Sequence, residues 1–547
     1  MHVFKNKVGG EHGQAGRRHT LWLAILAPAL VLVGGLVVLS VYAGTPLSIA
    51  GYADFSYGTT VEDEPSAYVP QSKVWWNDGH WWGILYNMEE GEYRIYQLDA
   101  ASQAWIDTGT AVDPREDSRA DVLWDEDAQM LYVASHSKRE NPSTPQNNPD
   151  YWARLYRYSY DASTDSYTLE SGFPEPVINV YRTETLVLDK DSTGRLWATW
   201  IGRTEAGVYE VYVSYTAGGD LWHEALALPF PAEGTVGIDD ISALVAFEDD
   251  EGPKIGVLWA NQVDGNFYFA THDDGEAPES GWTLDSKFAA AVDIPADDHM
   301  NFATTTDGKL FIALKSGINP VDEPDEPLIG VVARESDGTT SFIEIGPGSS
   351  RDTRPIAVVN EATAELYVFA VSKSGGEAVC RFTAPIISPL SAMSFDGENC
   401  SPPNGEPFDS PAALANLIDA PVFIGDTETY DAINNPSSTK QRFSSESGVL
   451  VLASDESEEF YVHNLLAGET PTPTVTPTPT VTATPTVTAT PTATTTATVT
   501  ATETPTATGT LTTTPTVTVT ATATETATAG PPVGGEEVSY LPYFGGP

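Results

Sequence analysis

The chain has 547 residues, with 27 Lys+Arg against 77 Asp+Glu and a formal charge of −50. Phosphate binding needs clustered Lys and Arg, so this balance excludes nucleic acid as a partner. Two cysteines exclude a disulfide-framework miniprotein and any multi-Cys zinc or iron–sulfur module.

Residues 1–20 form a basic, polar tail carrying Lys5, Lys7, Arg17 and Arg18. Residues 21–43 then run without a charge from Leu21 to Ala43. A helix crosses a bilayer in about 20 residues, so this stretch is expected to span a membrane. Positive charge before the span puts the tail in the cytoplasm and the rest outside. Val41-Tyr42-Ala43 before Gly44 also fits a cleavage site. A signal peptide and an uncleaved anchor therefore both stand, and either places the chain in the cell envelope outside the cytoplasm, membrane-anchored or secreted.

Residues 45–469 read as uniformly β, in short runs that alternate apolar and polar. A hairpin recurs, with an aromatic-rich second strand. Lys73–Asn77 leads to His80–Tyr86, and Ala120–Trp124 to Met130–Ser135. Thr185–Asp189 leads to Arg195–Trp200, and Ile241–Val245 to Lys254–Trp259. Met300–Thr304 leads to Lys309–Leu314, and Pro355–Val359 to Glu365–Ala370. A weaker seventh copy joins Gln441–Phe443 to Gly448–Ala453. The strong copies start roughly 45 to 65 residues apart, and two further strands follow each, which is the period of a β-propeller blade. The expectation is an all-β, seven-bladed propeller, closed by Tyr52–Tyr57 as the outer strand of the last blade. A six-bladed ring with an accessory region at 384–440 is the alternative.

Cys380 and Cys400 lie in the sixth unit of an exported chain, where a disulfide is expected. From 470 to 530 the composition collapses to Thr, Pro, Ala and Val. No core can form there, and the segment reads as a disordered, extended stalk. Residues 531–547 end in a short apolar and aromatic tail.

In a propeller, the loops entering each first strand converge on one face around a central channel. The positions just before each first strand gather Lys73, Arg119, His299, Arg354 and Lys440 as candidate ligand-binding residues, beside the acids Glu184, Asp239 and Asp298, and the ends of the second strands, at the same face, add His136, Arg203 and Lys315. A cationic ring in so acidic a chain would focus an anionic ligand. Asp121, Glu184, Asp240 and Tyr430 are the candidate catalytic groups. Trp75, Trp76, Trp81, Trp82 and Trp259 are either blade core or sugar platforms. No metal motif is present, so no metal or cofactor is expected. Calcium at Glu248–Glu251 or Asp322–Glu326 is the one alternative, without the spacing of a known calcium loop.

Asp191-Ser-Thr-Gly194-Arg-Leu-Trp197 resembles the Asp-box turn of the sialidase-like propellers, with its Asp displaced by one position. The resemblance implies an arginine triad, here Arg119, Arg203 and Arg354. It also implies a Tyr nucleophile activated by a Glu, here Tyr430 and Glu184, with Asp121 or Asp240 as the acid. The chain is more similar to uncharacterised exported bacterial propellers carrying Ser118-Arg-Ala-Asp121 and Asn434-Asn-Pro-Ser-Ser-Thr-Lys440 segments, a kinship that implies fold alone. The leading expectation for function is recognition of a glycan or other extracellular polymer at the channel mouth. The alternatives are a sialidase-like hydrolase or a lyase acting on an acidic glycan, and a protein-interaction scaffold.

Overall fold

The computed structural model describes residues 51–59, 61, 65–217, 221–372, 378–395, 406–407, 433–456 and 459–466. Their strands form seven antiparallel sheets, arranged in sequence order. The first strands of the blades are Val74–Asn77, Ser118–Asp125, Val187–Lys190, Ser242–Asp249, Ala296–Thr304, Asp352–Asn360 and Ile433–Ser437. Seven sheets remove the six-bladed alternative. Among the described residues no helix is long and apolar enough to cross a membrane. The expected span at 21–43, the stalk at 470–530 and the tail at 531–547 lie outside the described residues.

The ring closes as the sequence suggests. Gly51–Ser56 pairs with Phe460–Leu466, so the start of the domain supplies the outer strand of the seventh blade. The seam carries a buried lock. His463 Nδ1 lies 2.7 Å from Asp54 Oδ1, and Trp105 Nε1 donates to Asp54 Oδ2 at 3.1 Å. Tyr52 stacks on the His463 ring at 5.1 Å.

Each blade buries both faces against its neighbours, which is why the second strands are so aromatic. Trp75, Trp81, Trp82 and Trp259 are buried. Trp82 meets Tyr160 and Tyr167 edge-on, and Trp75 Nε1 donates to the Tyr167 hydroxyl at 2.7 Å. These rings are blade core, and the sugar-platform alternative does not fit them. Polar staples also tie first strands together. Asp121 Oδ2 accepts from Leu188 N, Asp189 Oδ2 from Ala246 N, and Asn301 Oδ1 from Ala357 N.

The seventh blade departs from the sequence reading. Its first strand is Ile433–Ser437, not Gln441–Phe443. The Gln441 side chain instead accepts from Trp76 N and donates to Trp76 O, clamping the first blade. Phe443 forms an isolated bridge to Asn360 and packs edge-on against Tyr367 at 5.1 Å.

The Asp-box echo is a structural turn. Asp191 Oδ1 accepts from Thr193 N and Arg195 N, both at 2.9 Å, and Oδ2 from Trp197 Nε1 at 2.8 Å. Gly194 has φ of +88°, which a residue with a Cβ rarely adopts. This turn joins first and second strands, away from the loops that enter the blades.

Candidate functional site at the channel mouth

Side chains on a blade strand point to one sheet face or the other, and both faces pack on neighbouring blades. Residues in regular first strands therefore look sideways into the protein. Only lead-in loops and bulges can present groups to the channel mouth.

Lys73 just ahead of a first strand, Arg119 within one and His136 within a second strand are all turned inward in this way. All three have 0% exposure. Lys73 Nζ sits 4.4 Å over the Tyr93 ring. Arg119 Nη1 donates to Ser118 O at 3.0 Å, and His136 Nε2 lies 3.1 Å from Gln71 Nε2. Burial, with Arg115, Arg119 and Lys73 nearby, pushes His136 down to about 3, so it is neutral. These candidates form a layer between blades and present no atom to solvent.

Asp121, Asp240 and Lys440 are staples. Asp121 is fully buried and accepts from Ser72 N at 2.8 Å and Leu188 N at 2.7 Å. Lys440 Nζ bonds Asp121 Oδ2 and the Leu188 carbonyl inside the channel. Asp240 accepts from Gln262 N at 3.1 Å and from Gly237 N. Arg203 is exposed, with its guanidinium 5.7 Å from the Tyr209 ring. Tyr430 lies outside the described residues. Cys380 is buried and disulfide-bonded, and Cys400 lies outside the described residues. In the acidic segments, Asp249 pairs with Arg334 at 3.0 Å and with Lys254 at 3.6 Å.

Glu184, His299, Lys315 and Arg354 do reach the mouth, around a residue that the hairpin pattern does not single out. Tyr68 lies in the lead-in to the first blade. Its hydroxyl donates to Asp298 Oδ2 at 3.0 Å. Lys138 Nζ stands 5.9 Å from its ring centroid and the Arg354 guanidinium 5.8 Å, within cation–π range. The His299 ring is 5.8 Å away. Asp298 and His299 lie where register slips between Ala296 and Met300. Arg354 lies in a second slip between Thr353 and Ile356, with φ of +53°. Bulges re-aim side chains in this way.

Carboxylates dominate the centre. Glu184, Asp239 and Asp298, from the starts of three consecutive blades, each bring an oxygen within 4.8 Å of the others. Two of the cations nearby, His299 and Lys315, are matched by carboxylates. His299 Nδ1 lies 2.7 Å from Asp298 Oδ1 and 2.5 Å from Asp297 Oδ1, and Lys315 pairs with Asp297. The mouth is thus not the cationic ring expected from the sequence.

The acidities diverge. Burial alone would raise Asp298, but the His299 charge and N–H hold it well below the usual carboxylate range, helped by the Tyr68 hydroxyl. Burial would lower His299, but Asp298 and Asp297 raise it, so it is held as the cation. Asp239 is exposed as a residue, but partial desolvation of its carboxyl raises it, and the charges of Asp298 and Asp297 push the same way. One carboxyl is kept ionised beside another that takes a proton more readily.

The entry rule finds Glu184, Asp239 and Asp298 directly, since all stand just before or at the start of a first strand. It misses Tyr68, five positions upstream of Lys73. It misses Lys138 too, which lies just past the end of a second strand.

No known protein family matches the sequence, and no curated protein matches it either. Among solved structures, a protein of unknown function from Dyadobacter fermentans is similar, at 11% identity and a TM-score of 0.37, covering 65% of this chain and 96% of that one. An ulvan lyase of polysaccharide lyase family 25 is similar at 11% identity and a TM-score of 0.43, covering 76% and 95%. A lectin from Aleuria aurantia is similar at 11% identity and a TM-score of 0.35, covering 60% and 95%. At these values the likenesses assign neither ligand nor reaction.

Proposed function

We propose that this seven-bladed propeller recognises a glycan or related extracellular polymer at the channel mouth, displayed at the cell envelope by its N-terminal segment and Thr/Pro-rich stalk. One observation carries the reading: Glu184, Asp239 and Asp298 converge from three blades within 4.8 Å. Carboxylates accept hydrogen bonds from sugar hydroxyls, and ionised acceptors make the stronger bonds. The convergent carboxylates, with two of the mouth cations already paired, argue for a neutral, hydroxyl-rich ligand over an acidic one. Lys315 and His299 are already committed to Asp297 and Asp298.

A second reading, glycoside hydrolysis, is favoured by the diverging acidities. Environments that push two carboxyls apart mark an acid and its ionised partner. Asp239 would be the acid and Asp298 the partner, with the Tyr68 hydroxyl on the latter. The close spacing is nearer the ~5 Å of a retaining pair than the ~6.5–9.5 Å that accommodates a water.

The test is a panel of neutral and acidic glycans probed with the wild type and a Glu184→Gln/Asp239→Asn variant. Binding to neutral glycans, lost in the variant, supports recognition. Mass spectrometry of the spent glycans separates the readings, since sugar release abolished by Asp239→Asn supports hydrolysis. Absence of binding to every glycan overturns both.

A further inference from the structure

The channel encloses a second space that the mouth cluster does not share. A cavity of about 570 Å³ lies between the first strands, and none of Tyr68, Glu184, Asp239 or Asp298 lines it. Its walls extend to Glu126, Thr306, Glu361 and Ser444. These residues lie in the connections from first to second strands, on the face opposite the mouth.

Three features describe its ligand. The volume falls within the ~300–1,000 Å³ of small-molecule sites. The wall cations are matched: Lys440 bonds Asp121 and the Leu188 carbonyl, and Arg442 Nε lies 3.4 Å from Glu361 Oε2. The charges therefore do not favour an anion. The remaining wall alternates apolar surface, from Trp124, Phe302 and Val245, with the hydroxyls of Thr304 and Thr306. Apolar faces beside hydroxyl and carboxylate acceptors suit a sugar ring, which is itself apolar on its faces and polar at its rim.

We propose that this cavity is a second ligand site, loaded from the turn face, for a neutral mono- or disaccharide. It is independent of the mouth and stands or falls without it. The experiment titrates the full chain with cellobiose and xylobiose, with galacturonic acid as the charged comparator. Tryptophan emission reports occupancy, because Trp75 and Trp124 line the space. Saturation-transfer NMR gives an optically independent readout. Two variants locate the site. Ala303→Phe narrows the wall, and Thr306→Trp blocks the rim from an exposed position that tolerates substitution. The expected result is binding of a neutral disaccharide, weakened about tenfold or more in both variants. No binding of either disaccharide, preference for galacturonic acid, or unchanged binding in Thr306→Trp would overturn the proposal.

Discussion

Lys73 offers a sharp test of how the blades pack. Its ammonium is fully buried, and among the described residues the Tyr93 ring 4.4 Å away is its one close partner. Burial and the Arg119 charge push it down to about 7 from 10.5, against the opposing pull of Asp113. Between those values the unfolded chain binds one proton more than the folded chain, so folding stability rises with pH. Integrating from pH 7 to 9.5 gives a gain of about 3 kcal/mol from this side chain alone. Lys73→Met keeps the stem packed and removes the titration. The variant should exceed the wild type at pH 7, and the gap should close by about 3 kcal/mol at pH 9.5. Other titrations cancel in the comparison. Guanidinium denaturation at the two pH values measures it. A gap constant to within about 0.5 kcal/mol would refute the buried, unpaired ammonium.

Three further outcomes follow from the same geometry. Asp54→Ala leaves the His463 and Trp105 ring nitrogens without their acceptor at the ring seam and should cost about 1–3 kcal/mol in denaturant titration, with the mouth geometry unchanged. Burial pushes Asp352 up to about 6, although the Ser350 and Ser372 hydroxyls pull the other way. The folded state then binds the extra proton between pH 3.8 and 6, so stability falls across that window. Asp352→Asn should gain up to about 3 kcal/mol on the wild type over it, then hold level above pH 6, as thermal melts at stepped pH would report. Asp191→Ala removes the acceptor of Trp197 Nε1 and two backbone amides, and should cost about 1–3 kcal/mol while leaving glycan binding at wild-type strength.

The blade pattern is legible in the sequence because a first strand, a tight turn and an aromatic second strand repeat. Six hairpins fall where the apolar alternation places them, and Tyr52–Tyr57 is readable as the closing strand because the last unit lacks one. The seventh first strand is not readable. Ile433–Ser437 carries two Asn, a Pro and a Ser, and it holds its place through buried polar contacts such as Ser66 Oγ to Asn435 O at 2.8 Å. The mouth is half legible. Its loop acids follow from position alone. Which basic side chains turn toward the channel depends on bulges at Ala296–Met300 and Thr353–Ile356, and a register slip leaves no mark in apolar alternation. Arg119 and Arg354 look alike by position, but one lies in a regular strand and is buried, while the other sits in a bulge and reaches Tyr68.

The most direct test of the mouth as the working site is calorimetric titration of the best-binding neutral glycan into the wild type and Asp239→Asn. Asp239 is exposed, so its substitution spares the core. The geometry predicts an affinity loss of about tenfold or more in the variant. Equal affinity in the two proteins would contradict a carboxylate-centred site at the channel mouth.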